Sequence, residues 1–115
     1  MALDVMKTAE IIETLENFIE KKRPPVEIRP KLDISYKIEN QSVIIFEIRP
    51  RWNNPAEYHE SAIAKTTFIH TKQYWKIFWM RADLKWHNYK PKPTVKYIQQ
   101  FLDLVEEDKY GCFWG

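Results

Sequence analysis

Across residues 4 to 22 the apolar side chains Val5, Ile12, Leu15 and Ile19 return at three-, four- and seven-residue steps, with Ile11 and Phe18 widening the stripe and acids opposite. That period predicts an amphipathic helix. Asp4 stands where an N-cap is needed, Lys21, Lys22 and Arg23 suit the negative end of the helix dipole, and Pro24-Pro25 stops the helix. The period then changes to two. Leu32, Ile34, Tyr36 and Ile38 alternate with Asp33, Ser35, Lys37 and Glu39, which predicts a strand with one buried face. Asn40-Gln41 separates it from a β-branched run over residues 42 to 49, so a hairpin is expected. With a two-residue loop Ile38 faces Val43 and Tyr36 faces Ile45, and Glu47 and Arg49 fall on the apolar face beside Ile34 and Leu32, whereas a one-residue slip moves them to the other face.

Residues 50 to 57, with Trp52, two Asn and two Pro, break both periods and predict a loop. A second hairpin follows over residues 62 to 71 and 74 to 80, turning at Lys72-Gln73, with Phe68 opposite Ile77 and Thr66 opposite Trp79. Residues 81 to 93 fit neither period and are expected to connect. Thr94 is placed as the N-cap of a second helix whose stripe is Val95, Ile98, Phe101, Leu102 and Val105, ending near Asp108. Gly111 punctuates the C-terminal end, and Tyr110, Phe113 and Trp114 are apolar enough to dock back on the body. The expected fold class is α+β, one domain over residues 1 to 115. Its order is α-β-β-β-β-α: a four-stranded, meander-like antiparallel sheet of two hairpins, one face covered by the terminal helices. Either Phe78 and Met80 or Trp75, Ile77 and Trp79 are left on the other face, so a homodimer through that face or a sheet edge is the expected cover.

Composition changes this picture little. At 115 residues about two thirds of the unfolded surface can be buried, enough for a core without metal or disulfide. Cys112 is the sole cysteine, which excludes an intrachain disulfide. An acidic first segment and the absence of a long apolar run give neither a signal peptide nor a membrane span, so a cytoplasmic protein with no membrane partner is expected. With Gly111 and Gly115 the only glycines, phosphate loops and dinucleotide fingerprints are excluded. The strings RPPVEIRPKLDISYKIENQSVIIFEIRPRW, WKIFWMRADLKWHNY and YGCFWG resemble a bacterial family of small proteins classed as a domain of unknown function. The resemblance runs through nearly the whole chain, implies a cytoplasmic bacterial protein, and carries over no catalytic residue.

Charge changes the picture more. Residues 61 to 96 hold eight Lys or Arg against Asp83 alone, while both ends of the chain are net acidic, so the formal charge of +2 conceals an uneven molecule. The basic segment also carries Phe68, Tyr74, Trp75, Phe78, Trp79, Trp86 and Tyr89, and cations beside flat rings are what single-stranded nucleic-acid sites use. The bland alternative puts the rings in the core and the lysines on a solvated edge. A narrower candidate site joins Arg49, Arg51 and Trp52 to Arg81, Lys85, Trp86, His87 and Tyr89, if the strand-end loops meet. Arginine forks take phosphate or carboxylate at two points and pack on indoles. The bland alternative there is that Arg81 pairs with Asp83 or Glu47.

Asp33 followed by Glu47-Ile48-Arg49 is reminiscent of a metal-dependent nuclease, but the predicted register points the two carboxylates to opposite faces, and Arg stands where Lys is usual. His59, His70, His87 and Cys112 lack metal-ligand spacing. The sequence therefore ranks a non-enzymatic binding module first, with nucleic acid or an acidic protein as partner and no cofactor, metal or catalytic residue assigned. A nuclease-like enzyme using Asp33 and Glu47 and a purely structural protein-protein interaction domain are the alternatives.

Overall fold

The computed structural model describes residues 4 to 114 and runs α1 (Val5–Lys22), β1 (Asp33–Glu39), β2 (Ser42–Arg51), β3 (Asn54–Ile69), β4 (Tyr74–Met80), β5 (Trp86–Asn88), β6 (Thr94–Val95) and α2 (Ile98–Glu107). The α+β class, the antiparallel sheet and the helix at each end are as the periodicity predicts. The strand count is not: the sheet has six strands in the order β1-β2-β3-β4-β5, with β6 also on β4, in place of four. Among the described residues no helix is long and apolar enough to cross a membrane.

Asp4 caps α1, its carboxylate accepting the Lys7 N–H at 2.8 Å. The helix stops at Arg23, whose N–H still reaches the Ile19 carbonyl before Pro24-Pro25 ends the ladder. The buried stripe is Ile11, Leu15, Phe18 and Ile19; Val5 and Ile12, assigned to it from spacing, are exposed because the helix contacts the sheet through a narrower face. Arg23 then grips Asp33 with two bonds of 2.9 and 2.7 Å, fixing the end of α1 to the start of β1 and holding the Asp33 carboxyl below its usual range. Farther up, the Tyr36 hydroxyl donates to Glu16 at 2.7 Å.

Burial first, and the Glu16 carboxylate second, push the Tyr36 phenol up to about 12. A phenol raised in the folded state stabilises the fold below its ordinary value of 10.0, and that contribution is lost as pH rises through the folded value. Ultraviolet titration should therefore show a late phenol that disappears in Tyr36→Phe and moves back toward the ordinary value in Glu16→Gln. A late phenol indifferent to both changes would break the link between α1 and β1.

The first hairpin has the expected register, Ile38 opposite Val43, Tyr36 opposite Ile45 and Ile34 opposite Glu47, with Asn40 in the left-handed region at φ 54. The second is offset by two residues: Phe68 faces Trp75, Thr66 faces Ile77 and Ala64 faces Trp79, because the turn uses residues 70 to 73 rather than two. An even offset leaves every side chain on its expected face. Residues 50 to 57 correct the sequence reading outright, since they are not a loop but the end of β2, a two-residue turn at Trp52-Asn53 and the start of β3. Proline is tolerated there because this ribbon runs past both β1 and β4, so a missing N–H loses only an outward partner. Residues 81 to 93 are likewise more than a connector. Ile77 accepts from the Tyr89 N–H and donates to the Pro93 carbonyl, so the outer edge of β4 is shared between β5 and β6.

The core lies between the helices and one sheet face. Val43, Ile45, Ala64, Thr66, Phe68, Trp75 and Ile77 meet Leu15, Phe18, Phe101, Leu102 and Val105. Its one buried polar side chain, Thr66, donates to the Lys76 carbonyl at 2.8 Å. A bulge at Ile63, squeezed between Ala64 opposite Ile45 and Ala62 opposite Phe46, shifts the phase of β3 and bends the ribbon beyond it. Thr94 lies in β6 rather than capping α2; Tyr97 takes that position, and Gln100 reaches back to accept the Lys96 and Tyr97 N–H groups. Asp108 ends α2 in the left-handed region and accepts the Phe113 and Trp114 N–H groups, while the Trp114 indole donates to Val105. Phe113 is thus docked and Trp114 half-buried, but Tyr110 is exposed.

Candidate functional site

Period two puts a second set of side chains on the face that no helix covers. Paired positions form a row across the strands, Lys37, Ile44, Lys65, Phe78 and Asn88, flanked by Phe46 and Met80 with Trp86 on one side and by Thr67, Lys76 and Thr94 on the other. The Lys65 ammonium sits 5.6 Å from the Phe78 ring and 5.8 Å from the Trp86 ring, Lys76 lies 5.6 Å from Phe78 on its other flank, and Lys37 lies 5.5 Å from Phe46. Lys37 is neutralised by Glu60 and Glu39, at 3.5 and 3.8 Å. Lys65 and Lys76 have no carboxylate partner among the described residues. The helix side is the opposite: Glu10, Glu13, Glu16, Glu20, Asp103, Glu106 and Glu107 are all exposed there. The helix side thus carries a run of exposed acids, while the open face sets two lysines without carboxylate partners among the described residues, Lys65 and Lys76, around rings, beside the acid-paired Lys37.

A cleft of about 390 Å³ opens on the helix side of the β4–β5 hairpin, between Trp79, Arg81, His87, Tyr89, Lys90 and Cys112. Adjacent residues of β5 point to opposite sides, so Trp86 serves the open face and His87 the cleft. The connecting turn is tied internally. Arg81 and Lys85 share a backbone bond, Leu84 is in the left-handed region at φ 61, and Asp83 accepts from the Lys85 N–H at 3.0 Å and lies 2.8 Å from His87 Nε2. The His87 bond is the main reason that the Asp83 carboxyl is held below its usual range. Arg81 spreads over the Trp79 indole at 5.5 Å. Deeper, Tyr89 packs on Phe113 with ring centres 5.0 Å apart, and burial pushes both the Tyr89 phenol and the Cys112 thiol up. A raised thiol is protonated and a poor nucleophile.

The residues singled out in the sequence divide among three places. Arg81, His87 and Tyr89 line the cleft, Trp86 lies under Lys65 on the open face, and Lys85 is exposed on the turn between. Arg49, Arg51 and Trp52 ride the β2–β3 ribbon. Residues 54 to 63 of β3 precede the first position paired with β4, which at ~3.3 Å per residue puts the tip roughly 30 Å from the cleft. On the ribbon Arg49 pairs with Glu47 at 2.9 Å and Arg51 with Glu57 at 3.5 Å, while Trp52 is 94% exposed. The bland pairing of Arg81 with Asp83 or Glu47 is not seen; Asp83 goes to His87.

Asp33 and Glu47 sit on opposite faces and each is held by an arginine, so they do not converge on a metal. Among the described residues no group of three or more His, Cys, Asp or Glu side chains could hold one. Sequence reasoning missed Lys37, Phe46, Lys65 and Lys76 as site residues. Their signal was present in the alternation: Lys37, Lys65 and Lys76 fall on the face away from the helices, the same face as Phe46 and Phe78.

The chain belongs to the family described as "Domain of unknown function (DUF3024)", whose match covers residues 3–115. No curated protein and no solved structure matches it.

Proposed function

We propose that the chain is a non-enzymatic binding module that holds single-stranded nucleic acid against the open face of its sheet. The observation that carries this reading is Lys65, an ammonium without a carboxylate partner among the described residues, set over two rings, Phe78 and Trp86, with Lys76 on the far side of Phe78. Rings accept unstacked bases, at about 1–3 kcal/mol each, and lysines meet the phosphates between them. A lysine stem over a ring is a movable cover: its head leaves the ring for a phosphate at little cost, and the ring face becomes free.

The same lysines bear on the homodimer expected from sequence. Their ammonium groups lie over Phe46, Phe78 and Trp86, which reduces the apolar area that calls for a partner, and face-to-face docking of two copies would bring the lysines Lys65 and Lys76 of both into one interface. An acidic protein would meet the lysines but has no regular supply of flat groups for the rings. The diverging carboxylates leave the nuclease alternative without its geometry.

Fluorescence anisotropy of a labelled mixed-sequence single-stranded DNA tests the reading. Affinity should fall with salt, and replacing Lys65 and Lys76 together with glutamine should reduce the slope of log K against log salt by about 1.4, two phosphate contacts at about 0.7 each. Salt-insensitive binding, or equal binding to an acidic peptide of the same charge, would reject it.

A further inference from the structure

We infer that the cleft between Trp79, Arg81, His87, Tyr89, Lys90 and Cys112 is a binding site for the terminal phosphate of a phosphate monoester. Its volume, about 390 Å³, falls within the range of small-ligand sites, and it lies on the far side of β5 from the lysine-covered rings. The inference is separate from the nucleic-acid reading: Asn88, at the end of the open-face row, also lines the cleft, but none of the open-face lysines or rings does.

The chemistry follows from sign and depth. No aspartate or glutamate lines the cleft, whereas Arg81 and Lys90 stand at its rim and neither has a carboxylate partner among the described residues. Asp83, in the turn beside the cleft, is occupied by the Lys85 N–H and His87, so it orients the imidazole and does not fill the cleft. At the floor, burial first and the Asp108 charge after it push the Tyr89 phenol and the Cys112 thiol up, so neither carries a charge, and Asp108 itself is occupied by the Phe113 and Trp114 N–H groups.

The arginine is also prepared. Its guanidinium rests on the Trp79 indole and its backbone closes a turn that holds Leu84 in the left-handed region, so little freedom remains to be lost when the fork meets two oxygens. A leucine with positive φ persists only where its surroundings impose it, and such positions gather at ligand clamps. Two cations and an imidazole in one lining suit a doubly charged group better than a singly charged diester. Such a phosphate is supplied by a free mononucleotide or by the 5′-phosphate of the strand itself.

Calorimetric titration of the full chain with inorganic phosphate, adenosine monophosphate and adenosine tests this. Phosphate and the monophosphate should bind and adenosine should not. Arg81→Gln and Lys90→Gln, both at exposed positions, should each weaken monophosphate binding by about ten-fold, whereas Lys72→Gln, in the exposed turn between β3 and β4, should leave it unchanged. A comparison of 5′-phosphorylated with unphosphorylated oligonucleotide separates the two sources: an advantage of the phosphorylated strand that Arg81→Gln removes assigns the strand end, and no advantage beside intact monophosphate binding assigns the free nucleotide. Failure of the open-face reading looks different, because the unphosphorylated strand would then not bind while the monophosphate still did. Adenosine binding as well as its monophosphate, no binding of either phosphate, or monophosphate affinity indifferent to both rim substitutions overturns the inference.

Discussion

Phe101→Ala is expected to lower the unfolding free energy by about 3–5 kcal/mol, a large share of the roughly 5–15 kcal/mol that holds a domain of this size together. Phe101 is fully buried at the centre of the stripe Ile98, Phe101, Leu102 and Val105, by which α2 meets the sheet. The ring is large, and its neighbours are β-sheet side chains fixed by ladders on both sides, so the cavity left by alanine cannot close by a helix shift alone. Urea unfolding followed by tryptophan fluorescence measures the loss as a lower midpoint at unchanged slope. Trp52→Ala is the matching control. It removes a bigger side chain, but one that is 94% exposed at the ribbon tip, and should change stability by less than about 0.5 kcal/mol. Equal losses at the two positions would mean that α2 does not pack as described.

The contrast between these residues also marks what the sequence could reveal. Phe101 was legible because a helical stripe declares its buried face through spacing alone. The first hairpin has the register that a two-residue turn at Asn40-Gln41 gives, with Glu47 on the helix side and Asp33 on the other; the one-residue slip that would exchange their faces stayed open in the sequence, because Asn-Gln is weak turn chemistry. The second hairpin was legible only modulo two: Phe68 meets Trp75 instead of Ile77, yet faces are conserved because the side-chain period is two. The ribbon over residues 50 to 57 was not legible, since its prolines argue against a strand unless one knows that no neighbour needs their N–H groups. Nor were β5 and β6, which exist through backbone bonds at Ile77 that leave no mark on side-chain pattern.

The candidate site was half-legible for the same reason. Arg81, His87 and Tyr89 come together because one short hairpin carries the first two and Tyr89 follows directly, whereas Arg49, Arg51 and Trp52 depend on where a long ribbon ends, a quantity fixed by the lengths of its neighbours. The basic and aromatic residues between positions 63 and 96 are neither all core nor all surface. Trp75 and Phe68 are sealed under the helices, and Phe78 and Trp86 lie half-buried beneath lysines on the other face, so alternation along β4 divides one aromatic run between stability and recognition.

Trp86→Ala is expected to weaken single-stranded DNA binding by about ten-fold or more, the second large effect the geometry implies. Trp86 is half-buried on a three-residue edge strand, so its removal leaves the core that holds Phe101 untouched and the unfolding midpoint nearly in place. The salt slope separates ring from charge. Losing Trp86 removes a stacking surface and should leave the slope unchanged, whereas Lys65→Gln removes one phosphate contact and should reduce it by about 0.7. The two side chains also touch, with the ammonium 5.8 Å from the indole, so the double substitution should cost less than the sum of the single ones: without the ring, Lys65 loses the perch that holds it over the binding surface. Strict additivity, or an affinity unaffected by Trp86→Ala in a protein that still unfolds at the original midpoint, would separate the rings from the binding surface and leave the lysines alone to account for it.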